Sequence, residues 1–360
     1  MKFTSKVVGA AALVCVSVSV SAMPYTSLVV IGDSLSDPGN AASLTSLGDG
    51  TSFFPPSPFP YAGRFTNGPT AAEVLADRIG SPTVLGWSGV PGGNNFAVGG
   101  ALSGHGNFNA LVNRPAGLPV LFPAVSQTGM AEQIDRYQAS GAQPSNPHTL
   151  HLLWGGANDF FLGFAQAQAG VNVDFNGLVA RTVANIATDL QDLVALGATN
   201  VLVPSLPDLG LTPLARSSGA SFSANATALS HAYNRSLSAV IAQADAIPNL
   251  QVMGFDTAAF LQQTVAQPGG PFTNVTQSCL SGGLAALASN CAGYLFFDDV
   301  HPTGVAHALL GERFANVTSV SPVPEPQTWG LMAAALLGLP WALRRQRRAR
   351  QAARSSHHGV

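Results

Sequence analysis

Two segments far apart in the chain carry the residue types of nucleophilic catalysis. Ser34 stands two residues after Gly32, and His301 stands three residues after Asp298. A histidine can take the proton of a serine when an acceptor orients its second ring nitrogen, and a carboxylate three residues earlier in a turn can supply that contact. The spacing favours Asp298 over Asp299 in this role. Both segments also have a structural interpretation, because Ser34 could cap a helix and Asp-x-x-His could be an ordinary surface turn.

Two further segments could stabilise the negative oxygen that forms when a serine attacks a carbonyl group. Residues 94–101 contain Gly99 and Gly100, whose backbone N–H groups no side chain obstructs, and residues 155–159 contain the amide of Asn158. Acyl transfer needs donors of this kind. Gly-Gly and Asn-Asp pairs are also common in ordinary turns. The presence of all four segments in one chain makes acyl transfer the favoured chemistry.

The elements that must position these segments can be predicted from hydrophobic periodicity. Short apolar runs predict strands at residues 25–31, 151–154, 200–204 and 250–254. Helical spacing predicts helices over residues 70–79, 178–196 and 223–245. Strand alternating with helix predicts one α/β domain with a mostly parallel sheet, and Ser34 then follows the carboxyl end of a buried strand. Long loops that line or cover a site are expected at residues 41–69, 101–128 and 262–290.

The four segments together resemble the blocks of the GDSL or SGNH hydrolases, esterases and lipases with a three-layer α/β/α flavodoxin-like fold. The resemblance covers the chain from Leu28 to about Ala306. It implies that Ser34 is the nucleophile, that His301 is the general base and then the general acid, and that Asp298 orients His301.

The same resemblance implies an oxyanion hole. Its donors would be the backbone N–H of Ser34, the N–H of Gly100 and the side chain of Asn158, with Gly99 as the alternative to Gly100 if the second block aligns one residue differently. Residues 203–210 and 272–276 resemble the branch described as secreted lipases, phospholipases and haemolysin-like esterases. His307, in the helical stretch after His301, is expected to be structural.

Several other classes of function are disfavoured. The sequence has no Gly-x-Ser-x-Gly elbow, no His-Glu-x-x-His pair, no phosphate loop and no Cys-x-x-Cys, so we expect a serine mechanism without cofactor or metal. Residues 23–320 carry 8 basic and 17 acidic side chains, a net charge of −9. This acidic balance argues against a nucleic-acid partner.

The N-terminus has the pattern of a secretory signal peptide. Two lysines precede an apolar run over residues 7–20, and small residues predict cleavage after Ala22, so residues 1–22 would be removed. The alternative is a buried N-terminal strand or helix. Export would leave Cys279 and Cys291 in the mature chain, in a compartment where disulfides persist, and we expect them to pair.

The C-terminus resembles the PEP-CTERM sorting signal of exporting bacteria. Residues 323–326 read Val-Pro-Glu-Pro, an apolar run covers residues 329–343, and five arginines follow by residue 350. Fifteen apolar residues make a marginal transmembrane span with cytoplasmic arginines. The resemblance implies that residues 321–360 are a sorting tail with transient membrane contact, processed by an exosortase-type enzyme, and that residues 23–320 form the exported hydrolase domain at the cell surface or outside the cell.

The substrate is less constrained than the chemistry. Aromatic residues concentrate in the early loops and could line an acyl groove or simply bury these loops: Phe53, Phe54, Phe59, Tyr61, Phe65, Phe108 and Phe122. The main hypothesis is a secreted serine esterase or lipase acting on carboxylic esters of lipids. The alternatives are an acetyl esterase acting on exported polysaccharide and a surface or matrix protein that keeps the fold without catalysis.

Overall fold

The computed structural model describes residues 25–47, 52–55, 61–88, 91–112, 123–141 and 144–319. The predicted signal peptide and the predicted sorting tail, with its apolar run, lie outside these described residues. Within the described ranges, no helix combines the length and the hydropathy needed to cross a bilayer.

A four-stranded parallel sheet forms the centre of the protein. Its strands lie in the order β1 (Ser27–Gly32), β2 (Thr149–Trp154), β3 (Asn200–Pro204) and β4 (Gln251–Phe255). All three neighbouring pairs are parallel, so the four carboxyl ends lie at the same edge of the sheet. These are the four strands that the apolar runs predicted, with boundaries shifted by at most two residues.

An irregular segment extends the sheet beside β1. The N–H of Val30 donates to the carbonyl oxygen of Asn94 at 2.9 Å, and the N–H of Phe96 donates to that of Val30 at 2.8 Å. The N–H of Val98 then donates to the carbonyl oxygen of Gly32 at 3.2 Å. The segment around Gly99 is therefore attached to the strand that precedes Ser34.

Eleven helices are found among the described residues. They are α1 (Asn40–Leu44), α2 (Ala71–Ile79), α3 (Phe108–Val112), α4 (Met130–Ala139), α5 (Ala157–Gln168), α6 (Phe175–Ala195), α7 (Pro213–Ser217), α8 (Ala220–Asp245), α9 (Thr257–Ala266), α10 (Gly283–Ala288) and α11 (Gly304–Ser319). The three predicted helices correspond to α2, α6 and α8.

The helices cover both faces of the sheet. Side chains alternate along a strand, so Leu28 and Val30 of β1 pack with α2 and α11, whereas Val29 and Ile31 pack with α4, α5, α6 and α8. Each cluster is a separate apolar core, and the sheet lies between them. This is the predicted three-layer α/β/α architecture.

Residues 262–290 differ from the predicted loop. They contain the second half of α9, strand β5 (Phe272–Ser278) and α10, and β5 pairs with β6 (Gly293–Phe296) in a small parallel sheet. The buried apolar residues of β5, Phe272 and Val275, are three positions apart, so the strand lacks the two-residue alternation that identifies strands in a sequence.

Candidate active site

Ser34 lies in a tight turn at the carboxyl end of β1. The N–H of Leu35 donates to Oδ1 of Asp33 at 3.0 Å, and the N–H of Ser36 donates to the carbonyl oxygen of Asp33 at 3.1 Å. Gly32 precedes the turn, and a Cβ at this position would lie 2.6 Å from the carbonyl oxygen of Trp154. The close approach of β1 to β2 therefore requires glycine just before the turn.

The structure brings His301 and Asp298 to Ser34. Nε2 of His301 lies 2.8 Å from Oγ of Ser34, and its Nδ1 lies 2.7 Å from Oδ2 of Asp298. The N–H groups of Val300 and His301 donate to Oδ1 of Asp298 at 2.9 and 2.7 Å, which fixes the carboxylate in the turn between β6 and α11. Asp299 instead accepts a hydrogen bond from the hydroxyl of Ser278 at 3.1 Å.

The charges around His301 favour its protonated form. Burial by itself would lower the pKa of His301, but the charge and hydrogen bond of Asp298, together with the charge of Asp33, raise it above 6.5. Burial opposes ionisation of Asp298, yet His301 and two backbone N–H groups hold the pKa of Asp298 below its ordinary value. The imidazole can thus accept a proton while its partner carboxylate stays charged.

His307 has a different environment from His301. It is buried, and its Nδ1 accepts the N–H of Ala71 at the first residue of α2, at 3.2 Å. Burial lowers the pKa of His307 to about 3, so the ring is neutral and joins α11 to α2. These contacts agree with the structural role predicted for it.

Two backbone N–H groups are available beside Ser34. Neither Ser34 nor Gly100 donates its N–H to an acceptor within the described part of the chain. Gly100 has a φ of +85°, and a Cβ there would lie 2.5 Å from Oδ1 of Asn107, so the position requires glycine. Gly99, the alternative in the sequence, donates its N–H to Oδ2 of Asp37 at 2.8 Å.

Asn158 lies at the second residue of α5, just past the end of β2. Its Nδ2 donates one hydrogen bond to the carbonyl oxygen of Ala101 at 3.0 Å, which leaves the second N–H of the amide for a ligand. The neighbouring Asp159 accepts the N–H and the hydroxyl of Ser103 at 2.9 and 2.8 Å. The start of α5 is therefore fixed to the segment that follows Gly100.

Ser34, Gly100, Asn158 and His301 line one cavity of about 320 Å³ at the carboxyl edge of the sheet. Most of the other lining side chains are apolar, and the cavity includes these aromatic residues: Phe65, Phe108, Trp154, Phe161, Phe164, Phe222, Phe260 and Phe296. The polar groups thus converge at one place in a largely apolar cavity, which is the usual composition of a small-molecule site.

The predicted aromatic groove is only partly the one observed. Phe65 and Phe108 line the cavity, whereas Phe53 packs edge-to-face on Phe54 and Tyr61 packs on Phe297. Phe59 and Phe122 lie outside the described residues. Most of the lining rings come from the helices α5, α8 and α9 and from strand ends. The sequence signal for two of them, Phe161 and Phe164, is their position shortly after Asn158.

Cys279 and Cys291 are joined by a disulfide at the end of β5, and they are 12 positions apart in sequence. The N–H of Leu280 donates to the carbonyl oxygen of Phe297 at 3.0 Å, and Phe297 packs with both cysteines. The disulfide therefore lies against the residue that precedes Asp298. Among the described residues, no group of three or more His, Cys, Asp or Glu side chains could hold a metal ion.

The relatives found by comparison with known proteins include an esterase and an acyltransferase. The chain is 28% identical to esterase EstA of Pseudomonas aeruginosa over 327 residues, covering 80% of this chain and 46% of that protein. It is 27% identical to a phosphatidylcholine-sterol acyltransferase of Aeromonas hydrophila, covering 81% and 89%. The chain spans about half the length of the first curated relatives it matches.

A solved acetyl xylan esterase matches 81% of this chain and 98% of its own, at 11% identity and a TM-score of 0.35. The PEP-CTERM protein-sorting motif matches residues 322–348, which indicates bacterial export, surface sorting and exosortase processing. The model of the GDSL-like lipase/acylhydrolase family matches residues 28–314. With four fifths of its length inside that match and its polar residues gathered at the sheet edge, the chain belongs to the GDSL-like lipase/acylhydrolase family.

Proposed function

We propose that this protein is an exported serine esterase or lipase that hydrolyses carboxylic esters with apolar acyl chains. The observation that carries the proposal is the line of contacts from Asp298 through His301 to Ser34, which ends in an apolar cavity. A protein that kept this fold only for binding would have no physical need for all three residues.

The catalytic roles follow from the hydrogen-bond geometry. With its Nδ1 proton donated to Asp298, His301 accepts the hydroxyl proton of Ser34 at Nε2 while Ser34 Oγ bonds to the ester carbonyl carbon. The resulting imidazolium is stabilised by Asp298 and gives its proton to the leaving alcohol. Water then attacks the acyl-enzyme by the reverse proton transfers, and Ser34 is released.

The negative carbonyl oxygen would be held by three donors. They are the backbone N–H groups of Ser34 and Gly100 and the free N–H of Asn158, all of which border the cavity. Removing one such donor typically lowers kcat by about 10²–10³.

The composition of the cavity favours lipid esters over acetylated polysaccharide. Sugar hydroxyls need hydrogen-bonding side chains, whereas an acyl chain gains free energy from apolar burial, about 0.8 kcal/mol per CH₂. The rings of Phe161, Phe164 and Phe222 offer that burial beside Asn158. The name of one relative, a phosphatidylcholine-sterol acyltransferase, agrees with this class of substrate.

Export would proceed through both chain ends. We infer that residues 1–22 are removed as a signal peptide and that residues 321–360 contact the inner membrane transiently before exosortase processing. Residues 23–320 would then be the hydrolase domain at the cell surface or outside the cell.

The decisive experiment is hydrolysis of p-nitrophenyl esters whose acyl group ranges from acetyl to palmitoyl. The enzymes compared are residues 23–320 and the Ser34→Ala variant of the same segment. We expect activity in the wild type that rises with acyl length and disappears in the variant. Activity restricted to acetate would move the substrate to acetylated polymers. Equal rates for wild type and variant would refute the serine mechanism.

A cavity-filling variant tests the acyl site directly. Ala165 lines the cavity on α5, so Ala165→Trp should lower kcat/KM for long-chain esters and leave that for acetate nearly unchanged. Ala167 is exposed on the same helix and does not line the cavity, which makes Ala167→Trp the matched control. Equal effects of the two variants at all chain lengths would place the acyl chain elsewhere.

A further inference from the structure

Gly100 lies in an irregular segment, and something other than a strand or helix must hold its N–H toward the cavity. The segment turns back after Val98, where the N–H of Ala101 donates to the carbonyl oxygen of Val98 at 3.0 Å. The amide of Gly99, which directly precedes Gly100, is held by a side chain: its N–H donates to Oδ2 of Asp37 at 2.8 Å. The orientation of the Gly99 amide, and through it that of the Gly100 amide, therefore depends on Asp37.

Asp37 is completely buried and accepts four backbone N–H groups. Oδ1 accepts from Gly39 and Asn40 at 2.7 and 2.6 Å, and Oδ2 accepts from Ala41 at 3.0 Å as well as from Gly99. Four donors on two oxygens suit a charged carboxylate, because hydrogen bonds to an ionised acceptor are shorter and stronger. Burial raises the pKa of Asp37 to about 6 against the effect of these donors, so the group is ionised at pH 8.

Two buried amides reinforce the same connection. Nδ2 of Asn40 donates to the carbonyl oxygens of Asn95 and Ala97 at 2.9 and 2.8 Å. Nδ2 of Asn95 donates to the carbonyl oxygen of Ser36 at 2.9 Å. The segment that carries Ser34 and the segment that carries Gly100 are thus joined by side chains, with Asp37 as the charged member nearest to Gly100.

We propose that Asp37 is a positioning residue of the oxyanion hole, which holds the N–H of Gly99 so that the N–H of Gly100 faces the carbonyl oxygen of the substrate. The inference rests on the proposed function. Asp37 lies outside the cavity lining and does not touch the ester. Its effect should therefore be confined to states in which the carbonyl oxygen carries negative charge.

Two substitutions separate this role from folding. In Asp37→Ser the hydroxyl can still accept from Gly39 or Asn40, two and three residues on, but it is too short to reach Gly99. In Asp37→Asn the amide keeps one acceptor oxygen for half of the four donors. Asp245→Ser is the control, because Asp245 accepts the N–H of Val252 at 3.0 Å in β4, the outer strand farthest from β1.

The variants are assayed at pH 8 for ester hydrolysis and for inhibition by an alkyl trifluoromethyl ketone. In the adduct, Ser34 Oγ bonds to the ketone carbon, the serine proton moves to His301 and the carbonyl oxygen becomes the oxyanion. For Asp37→Ser we expect kcat to fall about 100-fold, as for loss of an oxyanion donor. KM should change less than about 3-fold, and the Ki of the ketone should rise in step with the loss of kcat.

The other outcomes are informative. Asp37→Asn should recover part of the loss, and Asp245→Ser should keep the wild-type kcat. A folded Asp37→Ser variant with wild-type kcat and Ki would overturn the inference. Equal losses of affinity for the ketone and for the matching alcohol would also overturn it, because the alcohol carries no oxyanion. If Asp37→Ser does not fold, the same two inhibitors decide with Asp37→Asn. An inactive wild type would refute the proposed function instead.

Discussion

Asn158 is the proposed oxyanion donor that a side chain supplies, so a single substitution can remove it. We predict that Asn158→Ala lowers kcat for ester hydrolysis by about 10²–10³ with little change in KM, because the lost hydrogen bond strengthens only as charge develops on the oxygen. Steady-state kinetics measure the effect. Gln168→Ala, which removes an exposed amide that also borders the cavity, should leave kcat near the wild-type value. Similar losses for both variants would contradict the assignment of Asn158.

The pH dependence of activity should report His301. Neutral His301 is the active base, so kcat/KM should rise with pH through an apparent pKa above 6.5, the direction in which Asp298 and Asp33 shift this group. Asp298→Asn removes the negative charge that raises the pKa of His301 and leaves burial, which lowers this pKa. The rise of kcat/KM with pH should therefore occur at lower pH in this variant, even as the rate falls. A limb that stays at the same pH in this variant would show that another group controls it.

The contact between His301 and Asp298 stabilises the fold at low pH, whereas activity is expected to rise at high pH. The pKa of His301 is higher in the folded protein than in the unfolded chain, so its contact with Asp298 stabilises the fold fully below pH 6.5. This contribution disappears as pH rises through the folded pKa, where the base becomes active.

At the scale of elements, one glutamine of α4 completes the strand that carries Ser34. Gln133 is buried, accepts the N–H of Gly32 at Oε1 and donates to the carbonyl oxygen of Gly32 from Nε2, both at 2.8 Å. We predict that Gln133→Ala destabilises the protein by about 1–3 kcal/mol, because it leaves the buried N–H of Gly32 without an acceptor. Urea unfolding measures this, with Gln138→Ala on the exposed side of α4 as control. Equal midpoints for the two variants would contradict the prediction.

At the scale of the whole molecule, the described fold ends with α11. Leu310 and Phe314 are buried in the core with α2 and Trp154, so α11 belongs to the domain. We predict that a chain ending at Val320 keeps the kcat/KM of the full chain, whereas one ending at Thr303 does not fold, because each large buried side chain contributes about 2–5 kcal/mol. Circular dichroism and ester hydrolysis test both truncations. A folded chain ending at Thr303 would show that the core does not need α11.

The sequence by itself determined the fold class, the main strands and the residues of the proposed catalytic site. Strands β1 to β4 are short apolar runs, which can be recognised in the sequence without knowing which strands pair. Ser34, Asp298 and His301 lie in short local sequence patterns. The turn from Asp298 to His301 is local as well, since its hydrogen bonds span at most three residues.

Only the tertiary structure decided what surrounds these residues. The contact between Ser34 and His301 spans 267 residues, and the rings of the cavity come from helices on both sides of the sheet. The sequence does not reveal the roles of Asp37, Asn40, Asn95 and Gln133, because single polar residues give no periodic signal. Their importance comes from burial against backbone groups distant in sequence. Hydrophobic patterns record which face of an element is buried, whereas hydrogen-bond partners are set only when the elements pack.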